Sequence, residues 1–184
     1  MKYATFGAGC FWGVEHILCA VPGVIASRVG YMGGTTPAPT YAAVCQDDTG
    51  HIEVVEITYD PARIFYQDLL VVFWQLHDPT AHDNQGPYEQ GTQYRAVIFY
   101  HDAEQATLAV ASKATMEAAR VHAAPIVTEI RPATTFWSAE DYHQHYIAKG
   151  GAHHCHVFTR TIRLHEQCSE RSCTEDVIER RCIP

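Results

Sequence analysis

The chain has 184 residues, is 47% hydrophobic and carries a formal charge of -8 at neutral pH. That length and apolar content suit one domain with a real core, or one domain plus a tail, and exclude a second full domain. Its 13 Lys and Arg are scattered rather than clustered, which argues against an electrostatic nucleic-acid binder, and 12 histidines soften the charge below neutral pH. No apolar run approaches the roughly eighteen residues of a membrane span. "MKYATFGAGCFW" also lacks the apolar core and cleavage site of a signal peptide. The expectation is a cytoplasmic, monomeric protein with no membrane or nucleic-acid partner.

In chain order, "YATFGAG" reads as a strand running into Gly7 and Gly9, and "FWGVEHILCAV" as a short helix ended by "PG". "VIASRVGYMGG" is a second strand, followed by a long connection with a helical turn at Tyr41–Cys45. "HIEVVEITYDP" alternates, with Ile52, Val54 and Glu56 on one face and Glu53, Val55 and Ile57 on the other. "YQDLLVVFWQLHDP" is an amphipathic helix, "TQYRAVIFY" a strand, and "DAEQATLAVASKATMEAARV" a longer helix capped by Asp102. "IVTEIRPA" reads as another strand. "SAEDYHQHYIAKGG" predicts a helix with Ser138 at its N-cap and Asp141 near the capping-box position. Residues 150–184 shift to a charged, cysteine-rich composition and read as a mobile appended tail, leaving 1–149 as an α+β catalytic domain.

The seven cysteines are Cys10, Cys19, Cys45, Cys155, Cys168, Cys173 and Cys182. An odd number without a secretory signal fits a static disulfide framework poorly, so reactivity, metal binding or burial must account for them. Cys10 lies at a strand-to-helix junction, where helix amides favour a thiolate and Phe11 and Trp12 can wall an apolar pocket. By position alone the burial of a small hydrophobic side chain is the simpler account of Cys10. Glu53, among apolar neighbours, is either a carboxyl kept protonated by desolvation or the outward residue of an edge strand. Tyr41 and Tyr94 adjoin turns, where a phenol either points into a cleft or covers a core. Cys19, on an apolar helix face, and Cys45 read as structural or incidental.

The segments "GCFWG", "GYMGG", "PTY", "TGHIE", "YDP", "FWQLHDP", "GTQYR" and "AEDYHQHY" occur in that order from Gly9 to Tyr146. Together they resemble class A peptide methionine sulfoxide reductases over about four fifths of the chain. The resemblance implies a two-layer α+β sandwich with a mixed sheet, a ferredoxin-like core, and an irregular C-terminal tail. It implies that Cys10 attacks the sulfoxide sulfur, that Glu53 delivers a proton to the sulfoxide oxygen, and that Tyr41 and Tyr94 hydrogen-bond that oxygen. Phe11, Trp12, Glu89 and His143 would bind substrate, the S epimer of methionine sulfoxide in proteins, peptides or free form. It implies no bound cofactor or metal. The sulfenic acid left on Cys10 would be resolved by Cys155, and the disulfide passed through Cys168, Cys173 or Cys182 to thioredoxin or another dithiol.

The chain departs from that pattern in four places. Glu89 stands where the family commonly has Asp, and Ile52 replaces a small residue beside Glu53. "VCQDD" replaces "VCSG", and "GGAHHC" replaces the usual approach to the recycling cysteine. These changes bear on substrate choice and recycling rather than on the reaction chemistry, so a small-molecule sulfoxide is an alternative substrate. "HHCH", His153–His156, also admits a zinc or copper site, although the cysteine spacing fits no regular finger. A sulfoxide-binding module without turnover is the remaining alternative, and it gives no reason for a nucleophile.

Overall fold

The structure, a computed structural model, describes residues 1–151. Its elements are β1 (Lys2–Gly7), α1 (Phe11–Cys19), β2 (Val24–Met32), α2 (Tyr41–Val44), β3 (Ile52–Tyr59) and α3 (Tyr66–Gln75). They continue with β4 (Asn84–Gly86), β5 (Glu89–Gln90), β6 (Val97–Tyr100), α4 (Ala103–Ala118), β7 (Glu129–Pro132) and β8 (Trp137–Ser138). Six strands form one sheet in the order β7-β6-β1-β3-β2-β8, and β4 and β5 form a separate hairpin. The β6–β7 pair is parallel and every other pairing is antiparallel, so the sheet is mixed. The run β6-β1-β3-β2 with its two crossing helices is the ferredoxin-like core that the family resemblance implied.

Alternation along the strands builds two unequal layers. Phe6, Val55, Ile57 and Ile98 point to the side covered by Leu18 of α1, Leu69, Leu70 and Phe73 of α3, and Ala109 of α4. Ile52, Val54, Val97 and Phe99 point the other way into a smaller cluster covered by Ala133 and Phe136. β3 therefore buries both faces, with β1 on one side and β2 on the other, and Glu53 sits on a central strand. The edge-strand reading of Glu53 does not hold. Asp102 does cap α4, its side chain accepting from the Gln105 N–H at 2.8 Å. Among the described residues no helix is long and apolar enough to cross a membrane.

The helix expected over 138–149 is absent. Ser138 is drawn instead into β8, opposite Gly30, and the chain beyond forms successive turns. Gln144 supplies the reason: its side chain accepts from Val29 N–H at 2.9 Å and donates to the carbonyls of Val29 and Ala139 at 2.9 and 3.0 Å. These bonds stitch the segment to β2, and His145, at φ +53°, breaks any helical continuation. The strand expected over "TQYRAVIFY" begins only at Val97, because Thr92–Tyr94 form a 3-10 turn.

Gly30 shows how closely β8 approaches β2. A Cβ built there would lie 2.3 Å from the Trp137 carbonyl oxygen and 2.5 Å from the Phe136 ring. Gly30→Ala should destabilise the protein by about 2 kcal/mol, since a backbone atom must move to admit the methyl group. Urea denaturation checks this, and an unchanged midpoint would mean that β8 yields freely.

Candidate active site

β1 delivers the chain through Gly9, at φ +88°, to Cys10, the N-cap residue of α1. Cys10 is 6% exposed and its side chain makes no capping hydrogen bond. The first amides of the helix are taken by two buried glutamate side chains. Cys10 N–H donates to Glu89 Oε2 at 3.0 Å, and Phe11 N–H donates to Glu53 Oε2 at 3.1 Å. This differs from the expectation that these amides serve the cysteine sulfur. Glu89 arrives from the β4–β5 hairpin and Glu53 from the middle of the sheet, opposite Tyr31.

A cleft of about 380 Å³ opens here, lined by Cys10, Phe11, Trp12, Tyr41, Glu53 and Glu89 together with Tyr88 and Tyr94. Tyr41 is the first residue of α2, whose N-cap Thr40 accepts from Ala43 N–H at 3.3 Å. Glu140 accepts from Tyr41 N–H at 2.9 Å and from Tyr31 Oη–H at 3.0 Å, tying α2 and β2 to the turns after β8. Tyr94 ends the 3-10 turn. Burial, then the Cys45 thiol bonded to its hydroxyl, holds the Tyr41 phenol well above the ordinary tyrosine range. Burial, then the Glu53 charge, does the same to Tyr94. Both phenols therefore stay protonated at neutral pH and remain hydrogen-bond donors.

Trp12 is set by what lies behind it. Its Nε1–H donates to His143 Nδ1 at 3.0 Å, and its ring stacks on Tyr146 with centroids 3.9 Å apart and an interplanar angle of 16°. His143, 1% exposed, braces the indole and does not line the cleft. Tyr88, 82% exposed at the cleft, was missed from sequence because a lone tyrosine in a short loop carries no periodic signal. Glu140 lay inside "AEDYHQHY", but its role depends on contacts 99 and 109 residues away. Cys19 does not lie on a buried face: it is exposed at the end of α1, with its Sγ 2.9 Å from Ser27 Oγ. Cys45 is exposed as well. Cys155, Cys168, Cys173, Cys182 and the "HHCH" run lie outside the described residues.

The family model for peptide methionine sulfoxide reductase matches residues 2–175. The chain belongs to that family. A peptide methionine sulfoxide reductase of Methanoculleus marisnigri is 55% identical over 155 residues, covering 84% of this chain and 94% of its own. One of Geobacter sulfurreducens is also 55% identical, covering 84% and 95%. Among solved structures, Mxr1 of Saccharomyces cerevisiae in reduced form superposes with a TM-score of 0.77 at 33% identity, covering 84% of this chain and 88% of that one. As a member of the peptide methionine sulfoxide reductase family, the chain is an oxidoreductase that reduces methionine sulfoxide.

His143 makes the wall of the cleft sensitive to pH. Burial pushes its imidazole below the ordinary histidine value of 6.5, against the upward pull of Glu140. The neutral ring, accepting from Trp12 at Nδ1, is thus the form the fold favours. Because the folded-state value lies below the unfolded one, this stability is complete above about pH 6.5 and is lost as pH falls through the folded value. Between pH 7 and 5 the urea midpoint should fall further in the wild type than in His143→Gln, whose amide oxygen can still accept from the indole. Equal slopes in the two proteins would remove His143 from this account.

Proposed function

We propose that Cys10 is the nucleophile of a peptide methionine (S)-sulfoxide reductase, with Glu53 as proton donor and Tyr41 and Tyr94 as donors to the sulfoxide oxygen. The observation that carries this reading is the convergence on one cleft of a thiol, a 1% exposed carboxyl and two phenols kept protonated. A sulfoxide oxygen is a strong acceptor and a poor leaving group, so its departure from sulfur needs positioned donors and a proton. Phe11 and Trp12 supply an apolar wall for the S-methyl group.

The Cys10 thiolate attacks the sulfoxide sulfur while Glu53, oriented by Phe11 N–H, gives its proton to the oxygen. Attack forms an S–S bond in an adduct that carries the protonated oxygen as hydroxyl. Transfer of that hydroxyl to the Cys10 sulfur then breaks both the S–O and the S–S bonds, the electron pair stays on the methionine sulfur, and the products are methionine and a Cys10 sulfenic acid. A second thiol condenses with that sulfenic acid, releasing water and forming a disulfide. A dithiol such as thioredoxin returns both sulfurs to thiols, itself becoming a disulfide. We assign the condensing thiol to Cys155, with Cys168, Cys173 and Cys182 as relays, so that residues 150–184 supply recycling to a catalytic domain of residues 1–149. Glu89 gives one oxygen to Cys10 N–H, so it fixes the nucleophile's backbone as well as offering charge to a peptide amide of the substrate. Free methionine sulfoxide meets the same thiol, carboxyl and phenols.

Cys10→Ser should abolish methyl sulfoxide reduction with dithiothreitol, and appreciable residual turnover would remove Cys10 as nucleophile. Glu53→Gln should slow the reaction on the order of 10²- to 10³-fold, with the deficit shrinking at acidic pH as solvent supplies the proton. A pH profile parallel to the wild type would make Glu53 a bystander.

Cys155→Ala should still release one equivalent of methionine per protein in a single turnover, while thioredoxin-driven cycling stops. Normal cycling would transfer the resolving role to a later cysteine.

A further inference from the structure

Outside the cleft, three groups with metal-ligand chemistry meet at the far end of α1. Glu15 and Cys19 are four residues apart, hence on one face of the helix, and His145 reaches them from the turns after β8. One ligand atom from each of the three lies within 4.8 Å of the other two. Glu15 Oε1 and His145 Nδ1 are 3.3 Å apart. Tetrahedral zinc, with bonds of about 2.0 Å to oxygen and nitrogen and about 2.3 Å to sulfur, separates its ligands by about 3.3 to 3.6 Å. The oxygen and nitrogen already have that spacing, and the thiol, on an exposed side chain, needs a shift of roughly 1 Å to join them.

We propose that Glu15, Cys19 and His145 form a binding site for a zinc-class divalent ion, bound by one thiolate, one imidazole and one carboxylate, with water in the fourth position.

The ligand set is selective: thiolate and imidazole favour zinc, cobalt and copper over magnesium and calcium, which take oxygen donors. The carboxylate is also oriented in advance. Glu15 is 2% exposed, its Oε2 accepts from His145 N–H at 2.8 Å, and its Oε1 accepts from Ser27 Oγ–H at 2.8 Å. Such bonds fix a ligand's direction before the ion arrives. Cys19 and His145 lie at the surface, so an ion can enter. The bound ion would join the end of α1 to the segment that carries Glu140, His143 and Tyr146, and so to the brace behind Trp12. Because thiol and imidazole must lose their protons to ligate, binding strengthens as pH rises.

The test is a Co²⁺ titration of the reduced full-length chain, read by the thiolate-to-cobalt absorption band, with Zn²⁺ competition and thermal unfolding alongside. Cys19→Ser and His145→Asn are the informative variants. Both residues are exposed, and Asn accepts the positive φ of position 145. A third protein replaces His153, His154, Cys155 and His156 with Ala. The wild type and the third protein should bind one more equivalent than Cys19→Ser, with the extra band, and His145→Asn should bind that ion at least tenfold more weakly. Zn²⁺ should raise the unfolding temperature of the wild type more than that of Cys19→Ser, as expected when an ion binds only the folded state. The proposal is overturned if the wild type binds no ion, or if Cys19→Ser and His145→Asn bind and are stabilised as the wild type is. Loss of all binding in the third protein would place the ion on the "HHCH" run instead, and equally overturn it.

Discussion

The site depends on two glutamate carboxyl groups that close the beginning of α1. A helix leaves its first amides without intrahelical partners, and a carboxyl group taken out of water needs hydrogen bonds in return. Glu89 on Cys10 N–H and Glu53 on Phe11 N–H answer both requirements at once. The backbone at Cys10 and Phe11 is thereby anchored to a hairpin on one side and to the central strand of the sheet on the other. Removing Glu89 would leave the Cys10 amide unpartnered, and removing Glu53 would leave that of Phe11 unpartnered.

The aromatic wall has a comparable economy. Trp12 could turn about its side-chain bonds, yet the acceptor on His143 and the ring of Tyr146 restrict it to one orientation. Those two residues come from a segment with no regular secondary structure, held by Glu140 and Gln144 through bonds to the backbones of Tyr41, Val29 and Ala139 and to the Tyr31 hydroxyl. Side chains here perform the fastening that backbone ladders perform elsewhere. This is also why a pattern suited to a helix produced turns: the glutamine and glutamate bond across the molecule instead of along the chain.

Two of the departures from the family pattern, Ile52 and Glu89, take different places relative to the cleft. Ile52 packs on the opposite face of the sheet from Glu53, in the small cluster with Val54, Val97 and Phe99, so its extra bulk fills that layer and stays out of the cleft. Glu89 keeps a carboxyl group at the cleft, with one oxygen accepting from Cys10 N–H.

The sequence by itself determined the elements with strong local signals: β1 running into glycines, the alternation of β3, the amphipathic α3, and α4 with its Asp102 cap. Ordered motifs, through their resemblance to the family, also pointed to Cys10, Glu53, Tyr41 and Tyr94, all of which line the cleft. Tertiary structure decided what those residues touch. Whether Glu53 was an edge residue or a buried one depended on β1 and β2 flanking β3, a pairing that no local pattern encodes. That His143 accepts from Trp12, whether 138–149 was helix or turns, and whether Cys19 was buried or exposed beside Glu15 and His145 were settled by contacts between distant parts of the chain. Periodicity records which side of an element is apolar, and only packing records which element that side will meet.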